Sequence, residues 1–133
     1  MSLFVKRPVV LKNIVTSEFK IQLTTELKYA IEQIDRWFEQ EEFQSRRSIT
    51  EAKRQGITDQ VRKELNLERE RQSQVRLNLQ RKLDEVTQLE IDSIFASSTY
   101  DAPVKIEVGD DIRTKLSQAE IIVKDGIVVD VIE

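Results

Sequence analysis

The sequence predicts an α+β fold: a long antiparallel helical hairpin, a coiled coil, projecting from a small antiparallel β-sheet formed by the N- and C-terminal segments. Residues 17–95 contain no proline and one glycine, Gly56, and two apolar stripes at helical spacing mirror one another about it. Both ends of the chain are rich in β-branched residues, and Asp125-Gly126 divides the last such run. We read 1–133 as a single domain, with an N-terminal strand in 1–16, a helical hairpin in 17–96 turning near 56, and a C-terminal β region in 97–133.

The chain opens with MSLFVKRPVVLKNIVT, from which Val9 to Val15 read as a strand. Pro8 has no N–H to give a ladder and suits a strand start or an edge. Thr16 and Ser17 are candidate helix caps, and the Glu18 carboxylate suits the positive end of the helix dipole. The first arm then places Leu23, Leu27, Ala30, Ile31, Ile34, Trp37 and Phe38 on one stripe. Trp37 and Phe38 read as core residues. The stripe fades at Glu41, Gln44, Ser45 and Ser48, then weakly resumes at Ile49 and Ala52. Beyond Gly56, Val61, Leu65, Glu68, Gln72, Val75, Leu79, Leu83, Val86 and Leu89 follow coiled-coil spacing.

Residues whose numbers sum to about 113 match in character: Leu27 with Val86, Ile34 with Leu79, Phe38 with Val75, Ser45 with Glu68, Ala52 with Val61. Folding the chain back at Gly56 therefore buries apolar against apolar near the base and sets polar beside polar toward the tip. Gly56 accepts the left-handed conformation that ends a helix, and Thr58 can cap the next one. Lys28 with Glu85, and Glu42 with Arg71, are opposite charges near this seam. The alternative is one continuous long helix in a parallel coiled-coil dimer, roughly 120 Å long at 1.5 Å per residue. The phase speaks against it, because carrying the first arm's heptads through Gly56 puts Arg69 and Arg76 in the seam instead of Leu65 and Leu79.

After the second arm, Ser97 to Thr99 break the helical pattern and Pro103 ends it. Val104, Ile106 and Val108 alternate with charged residues as a half-buried strand does, Gly109-Asp110 turns the chain, and Asp111 to Leu116 form a single helical turn. Ala119 to Ile132 read as a β-hairpin, since a two-residue Asp-Gly loop is favoured where both positions need positive φ. A regular register puts Ala119, Ile121, Val123, Val128, Asp130 and Ile132 on one face and Ile122, Ile127, Val129 and Val131 on the other. Both faces are mostly apolar, so both need covering. Phe19, Ile91, Ile94 and Phe95 are the residues expected to cover one of them.

With neither cysteine nor histidine in 133 residues, disulfides, Cys/His zinc sites, thiol nucleophiles and the commonest general base are removed together. No phosphate loop or hydrolase signature occurs, so no enzyme activity, cofactor or small-molecule substrate is expected. Asp101, Asp110, Asp111, Asp125 and Asp130 surround the β region, but Asp125 and Asp110 are explained as turn residues. No run approaches the roughly 18 apolar residues of a membrane span, and the reading is a cytoplasmic protein.

Net charge is −3 and unevenly spread. Residues 44–63 hold Arg46, Arg47, Lys53, Arg54, Arg62 and Lys63 against Glu51 and Asp59, a net of +4, while the remainder nets −7. These six cations are the candidate partner-binding residues. The function read from them is a non-enzymatic scaffold or interaction protein, binding a protein partner or a second copy of itself as a homodimer. The alternative is an RNA- or ribosome-associated factor that neutralises phosphates with this tip. No aromatic residue lies between 44 and 63, so base stacking is not expected.

The segment VKRPVVLKNIVTS, the long charged helical stretch, EVGDDI and the closing AEIIVKDGIVVDVI resemble the YlqD-like family of small bacterial proteins over the whole length. The resemblance implies no catalytic or ligand residue. Family members encoded near ribosome-maturation genes in some bacteria are what it adds to the RNA alternative.

Overall fold

The computed structural model describes residues 1–133. Its elements run β1 (Ser2–Ile14), α1 (Ser17–Gln55), α2 (Thr58–Gln88), β2 (Ile94–Glu107), α3 (Ile112–Leu116), β3 (Ala119–Lys124) and β4 (Ile127–Ile132). They form two compact units, residues 1–20 with 89–133 and residues 21–88. No helix is long and apolar enough to cross a membrane.

The first unit is a four-stranded sheet in the order β2-β1-β3-β4. It is mixed rather than wholly antiparallel: β1 pairs antiparallel with β2 but parallel with β3. The reason is the path. β2 ends with Glu107 beside Ser2, and the chain crosses through α3 to start β3 at Ala119 beside Val9, so β3 runs the same way as β1.

Two strands are longer than the sequence pattern indicates, and in both the extra length comes from pairing between distant segments. β1 starts at Ser2, not Val9, because residues 2–8 pair with β2. Pro8 lies in this part, where β1 has no neighbour on its other side until Val9 meets Ala119, so it occupies a local edge. β2 starts at Ile94 and runs through Pro103, which an edge strand tolerates. Ser97 to Thr99 thus lie within a strand, which is bulged at Ser97. Leu11 pairs with Ser98 and Lys12 with Ala96, leaving Ser97 extra, and its hydroxyl accepts from Asn13 Nδ2 (2.8 Å) and donates to the Leu11 carbonyl (3.2 Å).

The second long helix correspondingly stops at Gln88, short of 96, so Ile94 and Phe95 are strand residues. Asp92 turns the chain with φ +71°, a value Asp tolerates better than most residues. Its N–H donates to the Val15 carbonyl at 2.7 Å, and the Val15 N–H donates to the Ser93 carbonyl at 2.8 Å. Val15 is fully buried there.

The Asp125-Gly126 hairpin forms as its chemistry requires, with φ +49° and +81°. Its register differs from the regular one beyond Val128. Ile122 pairs with Asp130 and Val123 with Val128, so Val129 bulges and Val131 stands across from Ile121, not on the opposite face. The expected cover does not reach β4, whose six residues are all exposed. Phe19 does pack on Phe95, ring centroids 6.0 Å apart, but Ile91 and Ile94 are exposed.

In the second unit α1 and α2 pack as an antiparallel hairpin; the chain reverses at Gly56, and the continuous helix is not formed. At 1.5 Å per residue the 39-residue and 31-residue helices extend roughly 58 and 46 Å. Leu27, Ile31 and Ile34 from α1 and Leu83 and Val86 from α2 are buried, an apolar seam laid down by the mirrored stripes. Trp37 and Phe38 are half-buried, edge to face with centroids 5.0 Å apart.

Candidate partner-binding surface at the hairpin tip

The tip is shaped by its turn. Gly56 takes φ +74°, and the Ile57 N–H donates to the Ala52 carbonyl at 3.0 Å, the six-to-one bond that closes a helix over a left-handed residue. The Val61 N–H donates to the Ile57 carbonyl at 3.1 Å, so Ile57 caps α2 and Thr58, expected as the cap, is already its first helical residue. The displacement follows from the closing bond: once Ile57 is tied to Ala52, the next helical turn starts from its own carbonyl.

All six sequence-predicted cations are exposed at this end. Arg46 meets Glu42 at 3.3 Å and Arg54 meets Glu51 at 3.7 Å within α1, exposed pairs that constrain little. Arg47, Lys53, Arg62 and Lys63 have no ion pair within the chain. Between the helices lies an open groove with Ala52, Ile57, Val61 and Leu65 on its floor and Arg47, Glu51 and Glu64 on its rim. A second depression, on Ile49, Leu65 and Asn66, is flanked by Arg62 and Arg69. Sequence reasoning found the cations and missed the groove, although Ala52, Ile57, Val61 and Leu65 were legible as apolar residues close to the turn.

Below the tip the seam turns polar. Glu41 and Ser45 are buried at 8% and 4% exposure. Arg69 reaches them from α2, its Nε donating to both Glu41 oxygens at 2.9 Å and its Nη2 to Ser45 Oγ at 3.2 Å. Nearer the base Arg76 Nε donates to Asp35 Oδ1 at 2.7 Å, and this hydrogen bond holds the Asp35 carboxyl below its usual range while raising Arg76. These replace the pairs expected from sequence. Arg71 turns to Glu68 of its own helix at 2.8 Å, Arg46 takes Glu42, and Lys28 and Glu85 are both exposed. Arg69 and Arg76, assigned to a seam only in the continuous helix, flank the hairpin seam because a long guanidinium stem can reach across from its edge.

The acidic residues of the sheet unit do not converge. Asp125 accepts from Thr16 Oγ1 at 2.6 Å, Asp110 from the Glu107 N–H at 2.8 Å, and Asp111 caps α3 through the Arg113 N–H at 3.0 Å. Thr16 itself caps α1, accepting from the Phe19 N–H at 3.1 Å. Each of these contacts secures a turn or a helix end.

A protein of unknown function from Synechococcus sp. WH 8102 has a crystal structure that superposes with a TM-score of 0.88 over 100% of this chain and 96% of that one. At 23% sequence identity this likeness is one of fold. No curated protein matches the sequence. The family model described as YlqD protein matches residues 3–132, and the chain belongs to that family.

Proposed function

We propose that the protein is a non-enzymatic scaffold that docks a protein partner on the tip of its helical hairpin. The observation that carries this is what the turn brings to one end of the hairpin: four exposed cations without an ion pair in the chain, Arg47, Lys53, Arg62 and Lys63, and an apolar-floored groove that Arg47 lines beside Glu51 and Glu64. An apolar floor with a charged rim is the anatomy of a protein-binding patch, where apolar contact supplies affinity and the rim charges steer the encounter. The basic tip as a whole, net +4 over residues 44–63, suits an acidic partner, and the groove suits an apolar side chain from it. A phosphate backbone would use the charges and leave the floor unfilled.

The test is capture from lysate by the native chain and by a variant with Arg46, Arg47, Arg62 and Lys63 changed to Glu, each with and without nuclease. The variant is expected to lose its partner while circular dichroism stays unchanged. Capture that disappears with nuclease, or that weakens steeply with salt and is restored by added RNA, replaces the protein partner with RNA. Capture unaffected by the four reversals removes the tip from the function.

A further inference from the structure

The sheet has two outer strands, and they are built differently. Both are bulged, at Ser97 and at Val129, but β2 also carries Asp101, Lys105 and Glu107 and contains Pro103, features that discourage another strand from pairing with an edge. β4 has almost none of this. It is Ile127-Val128-Val129-Asp130-Val131-Ile132, and its five apolar residues are 43–68% exposed. Asp130 is the single charge, and its Oδ1 accepts from the neighbouring Val131 N–H at 2.9 Å, so one backbone donor of the strand is already satisfied.

We infer that β4 is a self-association edge that pairs antiparallel with β4 of a second copy about a two-fold axis, joining two four-stranded sheets into one of eight. A strand apolar on both faces needs a partner strand apolar on both faces, so that cross-strand neighbours cover each other above and below the sheet. Within this chain β4 is itself such a strand. An antiparallel pair of identical strands satisfies the matching with one interface used twice. Pairing β4 with β4 closes at two copies, because each chain's β4 edge is then used up, whereas β4-on-β2 addition would propagate and meets the charges and Pro103 of β2. Asp130 fixes the register negatively, since a pairing centred on it would set two carboxylates opposite each other.

This surface is independent of the hairpin tip, and the experiment keeps them apart. Sedimentation of the full chain over a range of concentrations is expected to show a monomer–dimer equilibrium. Val129→Lys is chosen because the bulge leaves Val129 outside the β3 pairing, and it is expected to abolish the dimer with circular dichroism unchanged. Asp130→Val, which removes the edge charge and frees the Val131 donor, is expected to tighten the dimer. The four tip reversals are expected to leave it intact. A native chain that stays monomeric at every concentration overturns the inference, as does a folded Val129→Lys chain that still dimerises. Should Val129→Lys unfold, the other variant decides: dimerisation no tighter in Asp130→Val overturns the inference too.

Discussion

The two halves of the helical hairpin are held together by different physics. Near its base Leu27, Ile31, Ile34, Leu83 and Val86 are buried, and burial of such side chains is non-directional: it rewards contact without specifying which turn of one helix meets which turn of the other. Farther out, Glu41 and Ser45 are buried against Arg69, and hydrogen bonds, unlike apolar contact, are directional and weaken when donor and acceptor are misaligned. The apolar half is therefore expected to supply most of the stability, and the polar half to set the register between the arms.

Truncating the apolar half should have the largest effect. Ile34→Ala leaves a cavity in the seam and is expected to destabilise by about 2–4 kcal/mol, read as a lower denaturant midpoint with unchanged slope. If the helices slide to fill the space, the loss will be much smaller, and the two halves would then be less distinct than the burial pattern indicates.

The polar half sharpens the contrast. Arg69→Ala strands the buried Glu41 carboxylate and should destabilise by about 1–3 kcal/mol, with the half-exposed guanidinium placing it toward the lower end. The double change Glu41→Leu with Arg69→Leu should recover stability, since apolar replacement of a buried ion pair is often neutral or favourable. What it should lose is register, seen as several spin-label distances between the arms where the native chain gives one. A single sharp distance in the double variant would show that the apolar half specifies the alignment unaided.

The same division explains what was legible in the sequence. Features set by local chemistry could be read: Gly56 and Asp125-Gly126 need positive φ, Thr16 caps α1, Asp110 turns the chain, and the mirrored stripes fix the hairpin. Features set by distant partners could not. Residues 94–103 become strand only because β1 pairs along them, with Ser97 bulged between Asn13 and Leu11. The ion pairs show the same limit, because apolar periodicity places helices to within a residue or two, whereas Arg69 selects Glu41 over its neighbour Glu42 by side-chain geometry. At the candidate site the cations were visible as composition, while the groove needs both helices in place.

The turn joining the arms gives a smaller effect. A Cβ at Gly56 would meet nothing within 4 Å, so Gly56→Ala adds no clash and tests only the positive φ of +74°. The expected cost is about 1 kcal/mol, a modest fall in melting temperature. A neutral result would mean that the turn relaxes to another conformation, which amide exchange at Ile57 would reveal as loss of its bond to Ala52.

The smallest effect concerns the pair at the boundary between the two halves. The hydrogen bond from Arg76 lowers the Asp35 pKa, so the folded state binds that proton less readily than the unfolded chain. Its contribution is therefore fully present above the ordinary aspartate range, near pH 4, and fades as pH falls through the lowered folded value. Both side chains are partly solvated, at 48% and 40% exposure, so the contribution is small. Asp35→Asn should match the native chain in acid, where the native carboxylate is protonated anyway, and fall slightly below it at neutral pH. Denaturation of both proteins across pH 2–7 checks the direction, with high salt narrowing the gap by screening. A gap that widened on acidification would mean that Asp35 is more easily protonated in the folded hairpin, and the Arg76 bond would then not persist in solution.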